Sequence, residues 1–326
     1  MIAGRAGVVV VGSFNVDHVW RCAELPPPGA TLAGDYASSA GGKGFNQAIA
    51  AARAGARTTF VCALGEDAGG RQARALAAAD HLDLRAARSD APTGTAGIFV
   101  DARGRNSIVI GAGANATLSP GFVAAQDDAT AAAAVVLAQL ESPVAAVAQA
   151  LRGARAAGAI AILNPAPANA PTSPGLLALA DILTPNESEF AALLARHADF
   201  RIDPAALAGS EDAGLHALAR RLLPHGTVVL TLGASGLLVS HPPSATRGDA
   251  RDCYRLAAEA ADVVDTTGAG DACNGALAAA LALHPQRAFR EHAVFANRYA
   301  ALSTERAGAA AAMPSLTCFR ARHRGD

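Results

Sequence analysis

The sequence predicts an α/β fold: a mainly parallel central sheet covered by helices on both faces, with a few strands set apart from it. Three observations carry this. Short apolar runs, many of them β-branched, recur along the chain; alanine-rich stretches of about ten to fifteen residues alternate with them; and glycines punctuate the junctions.

Val8–Val11 is an unbroken apolar run ending at Gly12, as expected of a parallel strand buried on both faces. Phe45–Ala54 reads as a helix stopped by Gly55, Thr58–Ala63 as a strand and Arg71–Ala79 as a helix. Val135–Ala138 (strand), Val144–Ala157 (helix, closed by Gly158) and Ile160–Leu163 (strand) repeat the unit. Ile182–Leu183 precedes a helix over Glu187–Arg196, and Thr227–Leu232 is a strand ending before Gly233. Two regions break the rhythm. Thr31–Ser39, after the Pro26–Gly29 turn, has no helical period, and Thr93–Val100 and Ser107–Ile110 pair through the polar loop Asp101–Arg105. They predict a small β-flap over the main sheet. Arg196–Asp212 reads as a surface loop or an extra helix, and Cys318–Asp326 as a frayed polar end.

The chain has 326 residues, 51% of them hydrophobic, enough for one large α/β unit with an appendage or for two domains. Charged residues make up 17%, and 27 Lys+Arg against 28 Asp+Glu leave a net charge of -1, without the basic excess that nucleic acid demands. The five cysteines are scattered and never form Cys-x-x-Cys, and no His-x-x-x-His pair occurs, which argues against a disulfide framework or a transition-metal site. No secretory leader or membrane-spanning run is visible, so a reducing cytoplasm and a small-molecule substrate are the expectation.

The segment Asp265-Thr266-Thr267-Gly268-Ala269-Gly270-Asp271 runs directly into an apolar helix. Small residues at a helix mouth leave main-chain N–H groups bare at the positive end of the dipole, which makes an anion cradle. A carboxylate beside such a cradle repels the anion it adjoins, but is useful if it must take a proton from a hydroxyl attacking a phosphate. The alternative is a glycine turn with Asp271 as an ordinary helix cap.

Gly41-Gly42-Lys43-Gly44-Phe45-Asn46 is not a Walker A loop, because Lys43 precedes Gly44 rather than Ser or Thr. Its glycines permit close approach to a ligand, with Lys43 and Asn46 as donors; a glycine turn opening a helix is the plainer reading. Gly12-Ser13-Phe14-Asn15-Val16-Asp17 lies beyond the first strand's carboxyl end, where α/β sheets gather ligands. Asn15 and Asp17 share a face if the segment is extended, and form a solvated Asx loop if not. Gly111–Ala116 imitates a dinucleotide fingerprint, but Thr117–Pro120 interrupts it, so a nicotinamide dehydrogenase is rejected.

Together and in this order, these three segments resemble the signatures of the ribokinase (pfkB) family of carbohydrate and nucleoside kinases. Gln139–Pro143, Asn164–Pro167, Thr184–Glu189 and Thr231–Gly233 extend the likeness from about Val8 to Pro314. The resemblance implies a three-layer α/β/α domain, residues 1–13, 41–92 and 112–326, with a β-sheet lid from 14–40 and 93–111. It implies that Asn15, Asp17, Gly42, Lys43, Asn46 and Glu141 hold a ribosyl sugar. Asp271 would be the catalytic base, with the main chain of Gly268, Ala269 and Gly270 neutralising the phosphoryl group. Asn186 and Glu189 would organise Mg²⁺ through water, and Asn186, Thr231, Gly233, Gly236 and Asn297 would bind ATP. Asp265, Thr267, Ser303, Arg306 and Gly308 would surround an activating K⁺, although Ala312 stands where a serine is expected. A homodimer through the lid is implied by the same analogy.

Two further departures are visible. Cys273 occupies a position where the family often has Phe, and reads as a small buried residue. Phe45 follows Gly-Gly-Lys-Gly where ribokinases have Ala, and an aromatic there could stack on a nucleobase. The expectation is therefore phosphorylation of the primary hydroxyl of a nucleoside such as inosine, guanosine, cytidine or adenosine, with free D-ribose as the alternative.

Overall fold

The structure, a computed structural model, describes residues 5–323. Thirteen strands are present among them: β1 (Gly7–Val11), β2 (Asn15–Arg21), β3 (Asp35–Gly41), β4 (Arg57–Gly65), β5 (Asp83–Ser89), β6 (Gly94–Val100), β7 (Asn106–Gly111), β8 (Ala133–Ala138), β9 (Ile160–Leu163), β10 (Ile182–Leu183), β11 (Thr227–Thr231), β12 (Leu237–Ser240) and β13 (Cys253–Leu256). Nine form one sheet in the order β13-β12-β11-β10-β9-β8-β1-β4-β5. It is parallel from β5 to β11, and β12 and β13 add antiparallel at one edge. The other four form a second sheet, β3-β2-β6-β7.

The valine run explains itself in three dimensions. Val8 and Val10 enter one hydrophobic cluster with Phe45, Ile49, Phe60, Leu277 and Tyr299; Val9 and Val11 enter another with Leu151, Leu163, Phe190 and Leu230. A strand buried on both sides has no polar face to alternate with. The helices Lys43–Arg53, Ala269–Leu283 and Phe289–Ser303 cover the first face, and Val144–Ala157, Glu187–His197 and Asp212–Leu222 the second.

After β1 the chain winds outward through β4 and β5, then returns to place β8 on β1's other side. The order reverses at that point, and the crevice beyond the carboxyl ends of β1 and β8 is where open α/β sheets bind ligands.

One sequence expectation is corrected. The chain end is not frayed over 318–322: Leu316–Arg322 is a helix capped by Ser315, and Phe319 packs 4.6 Å from the Phe295 ring. The rest of that expectation, 324–326, falls outside the described residues. Arg196–Asp212, expected as a surface loop or an extra helix, carries a short 3₁₀ helix, Pro204–Gly209, that docks a fully buried Leu207.

Candidate active site

Each strand facing the crevice delivers a polar residue just past its carboxyl end: Ser13 and Asn15 after β1, Gln139 and Glu141 after β8, Asn164 after β9, Thr184 and Asn186 after β10. Thr231 ends β11. A cleft at these strand ends is lined by Lys43, Asn164, Ala166, Thr184, Asn186, Glu189, Thr231, Thr266, Gly268, Ala269, Gly270, Asp271 and Asn274.

The Gly41–Asn46 segment is a helix start rather than a loop. Gly42 is the N-cap at φ 88, and a β-carbon there would stand 2.8 Å from the Asn15 nitrogen, so only glycine admits this approach. The new N-terminus is tied to β8 by Glu141, whose Oε2 accepts from the Lys43 N–H (3.0 Å) and the Ser13 hydroxyl (2.6 Å). Asn15 and Asp17 share one face of β2. Asn115 clamps that strand: its Oδ1 accepts from Phe14 N (3.0 Å), and its amide therefore points at Phe14 O (2.9 Å) and Asn15 Oδ1 (2.8 Å). Asn15 is thereby left with its own Nδ2 as the donor for a ligand. Nothing in the sequence singles out Asn115, which lies inside the rejected Gly111–Ala116 motif.

Asp271 occupies the first turn of Ala269–Leu283, behind Gly268, and no side chain caps this helix. The carboxylate is 7% exposed and held at both oxygens: Asn46 Nδ2 donates to Oδ2 and Gln47 Nε2 to Oδ1, each at 2.9 Å. Burial pushes its pKa up, while Lys43 and the two amide donors pull it back. For Lys43, burial disfavours the ammonium, but Asp271, Glu141 and Glu189 outweigh it and hold the pKa above the ordinary lysine value. Asp17 is raised to about 7 by burial and by repulsion from Glu141 and Asp271.

Across the cleft, Asn186 and Glu189 form a reciprocal capping box: Asn186 Oδ1 accepts from Glu189 N (2.9 Å) and Glu189 Oε2 from Asn186 N (2.9 Å). Burial raises the Glu189 pKa. Thr184 joins this side to the cradle, donating 2.5 Å to Asn274 Oδ1, while Asn274 Nδ2 donates 2.8 Å to Gly270 O. Asn164, Thr184 and Asn274 are site residues that the sequence does not assign; the first two fall in segments that it marks, and Asn274 has no local signal.

Other expected residues lie away from the cleft lining. Gly236, at φ 85, is a turn whose absent β-carbon lets β13 pass, and Asn297 Nδ2 holds the segment after β13 through Ala257 O (2.7 Å). Gly233 starts a 3₁₀ turn after β11. Of the cation group, Asp265 gathers Thr267 and Gly308: Oδ1 accepts from Thr267 N and Oγ1 (2.9 and 2.6 Å), Oδ2 from Gly308 N (2.9 Å). Against a burial penalty, these donors hold its pKa low. Ser303 Oγ donates back to Ala300 O at 2.7 Å, and Arg306 is exposed.

The stacking role expected of Phe45 is corrected. The ring is 1% exposed and lies 5.0 Å from Phe14 and 5.9 Å from Phe60, inside the core and with no face open to a base. It packs the start of its helix. Cys273 is buried, and burial raises its thiol pKa to about 12, so it is inert.

A buried carboxylate, an ammonium and the helix-mouth amides of Gly270 and Asp271, with the Ala269 N–H already donated to Thr266 O (3.2 Å), can deprotonate a hydroxyl and steady a transferring phosphoryl group. Comparison with known proteins agrees with this chemistry. Residues 5–316 match the pfkB family carbohydrate kinase. The Haemophilus influenzae ribokinase is 36% identical over 315 residues (95% of this chain, 96% of the relative), and the Mus musculus ribokinase 37% over 314 residues (95% and 92%). The structure of Arabidopsis thaliana ribokinase complexed with ribose and ATP superposes with a TM-score of 0.81 at 29% identity, covering 97% of each chain. The chain belongs to the pfkB family of carbohydrate kinases, enzymes that transfer a phosphoryl group from ATP to a sugar hydroxyl.

Proposed function

We propose that the protein is a ribokinase: it phosphorylates the 5-hydroxyl of free D-ribose with ATP. The observation that carries this is the Asp271 carboxylate, buried against Asn46 and Gln47 at the open mouth of the Ala269–Leu283 helix. The resemblance of the whole chain to ribokinases, one of them bound to ribose and ATP, supports free ribose as the acceptor. The core position of Phe45 removes the reason for preferring a nucleoside.

Asn15 Nδ2, Asp17 and Asn46 Oδ1 offer the ring hydroxyls complementary partners; Asn46 Oδ1 is buried and has no hydrogen-bond partner. Asp271 takes the proton as the 5-oxygen forms its bond to the γ-phosphorus. The bond from that phosphorus to the bridging oxygen breaks, and ADP leaves. Lys43 and the N–H groups at the mouth of Ala269–Leu283 meet the charge on the transferring group.

Asn186 and Glu189 fit Mg²⁺ held through water: both line the cleft, and the Glu189 carboxylate has acceptor capacity beyond the bonds it takes from Asn186. When bound, Mg²⁺ neutralises the nucleotide phosphates. Asp265, Thr267 and Gly308 are the residues we assign to a K⁺ site. The second sheet is the lid, and it is also the proposed contact between two copies, because Ile108, Val109 and Ile110 on its edge strand β7 are exposed.

The test is ADP release with Mg-ATP and either ribose or inosine. Turnover with ribose and little with inosine is expected; an inert ribose with a folded, nucleotide-binding protein overturns the reading.

A further inference from the structure

Gln47 belongs to none of the ligand-holding positions assigned above, yet it touches the reacting carboxylate. It is fully buried and sits in the middle of a chain of carboxamides. Asn164 Nδ2 donates 2.9 Å to the Thr184 carbonyl; Gln47 Nε2 donates 3.0 Å to Asn164 Oδ1 and 2.9 Å to Asp271 Oδ1; and Gln139 Nε2 donates to Gln47 Oε1.

The direction of this chain is set at one end. A main-chain carbonyl can only accept, so Asn164 must turn its amide nitrogen to Thr184 and its oxygen to Gln47. Gln47 must then present nitrogen to Asn164, and with the second N–H of the same nitrogen it meets Asp271. Its oxygen is left for Gln139, which must present nitrogen in turn. This polarity predicts a surplus acceptor at the far end, and Gln139 Oε1 is indeed buried without a partner. Gly12 leaves room for that end, since a β-carbon there would stand 2.1 Å from Gln139 Oε1.

We infer that Gln47 is a positioning residue for the base: the one-way amide chain fixed by the Thr184 carbonyl holds an N–H on Asp271 Oδ1 and so keeps the carboxylate ionised and oriented before the sugar arrives. Without that N–H, Asp271 would keep only the amide donor of Asn46, and Gln47 cannot turn over without also breaking its bonds to Asn164 and Gln139. This rests on the reading of Asp271 as the base. The chain also accounts for the Asn164 and Thr184 segments, whose side chains meet the cleft without an assigned ligand.

The test compares Gln47→Met, which keeps length and loses every polar atom, with Gln47→Asn, which stays polar but falls short of Asp271. Removing the donor disfavours the ionised carboxylate, so the acid limb of kcat should move up by about one pH unit. At neutral pH, kcat should fall roughly ten- to a hundredfold, with the KM for ribose little changed. Thermal melting identifies the folded variants, and if Gln47→Met does not fold, Gln47→Asn decides. A folded variant with an unmoved acid limb and normal kcat overturns the inference. Asp271→Asn is measured alongside: near-normal turnover there would defeat the reading of the base itself, whereas an inactive Asp271→Asn with an unaffected Gln47 variant defeats only the positioning.

Discussion

Gly275 lies directly against the backbone of Gln47: a β-carbon at position 275 would stand 2.4 Å from the Gln47 carbonyl oxygen and 2.5 Å from Ala50 Cβ. The Lys43–Arg53 helix, which carries Lys43, Asn46 and Gln47, is seated on the Ala269–Leu283 helix, which carries Asp271, at this contact. Backbone cannot yield as a flexible side chain can. Gly275→Ala should therefore force the two helices apart, lowering stability by ~1–3 kcal/mol and with it the melting temperature. Turnover should fall more than the KM for ribose rises, because the displacement lengthens the Asn46 and Gln47 bonds to Asp271. Unchanged melting and kcat would mean that the helices already have slack.

Asp271→Asn preserves shape and removes the proton acceptor. Turnover should drop by about three orders of magnitude or more if base and positioning roles are lost together. Nucleotide binding, measured by calorimetry, should survive, because the helix-mouth amides belong to the main chain. An Asn variant with near-normal kcat would place the base elsewhere.

How far the sequence can be read follows from where each signal resides. Val8–Val11, the Val144–Ala157 helix and the Asp265–Asp271 segment carry their information in adjacent residues, and local pattern is enough for them. β5 escapes that pattern because Asp83–Ser89 is a polar edge strand, its Arg85 paired with Asp83 and Asp128. Gln47 and Asp271 are 224 positions apart, and Asn115 and Asn15 are 100 apart. A carboxamide's partner at such a distance leaves no trace in local spacing. Phe45 misleads for a different reason. It neighbours Lys43 and Asn46 in sequence, but on a helix adjacent residues do not face the same way, and position 45 points into the core.

That geometry makes a prediction of its own. Phe45→Ala should destabilise the protein by ~3–5 kcal/mol, the cost of emptying an aromatic site between Phe14 and Phe60. Activity remaining in the folded fraction should fall for ribose and inosine alike. A selective loss of inosine turnover would restore the stacking role.

The exposed stretch on β7 bears on assembly. Val109 is 68% exposed and lies on an edge strand between Ile108 and Ile110, a surface open to pairing by a second copy. Sedimentation velocity should give a dimer for the native chain and a shift toward monomer for Val109→Lys. A native monomer at micromolar concentration would rule out this contact.

The last prediction concerns pH and begins at Asp17. Its carboxyl titrates at about 7, raised first by burial and then by Glu141 and Asp271. The ring hydroxyls of a sugar donate hydrogen bonds, which an ionised carboxylate receives better than a neutral acid. Above the pKa the group is charged and ready; one unit below it, about one molecule in ten remains so. The KM for ribose should accordingly fall as pH rises from 6 to 8, and it should level off above that range. Asp17→Asn should raise KM throughout and flatten the dependence, since the amide does not titrate. The acid limb of kcat, which belongs to Asp271 in the sugar complex, should remain in the Asp17→Asn enzyme. A native KM that does not vary between pH 6 and 8 would mean that Asp17 is already ionised there, or that the sugar does not engage it.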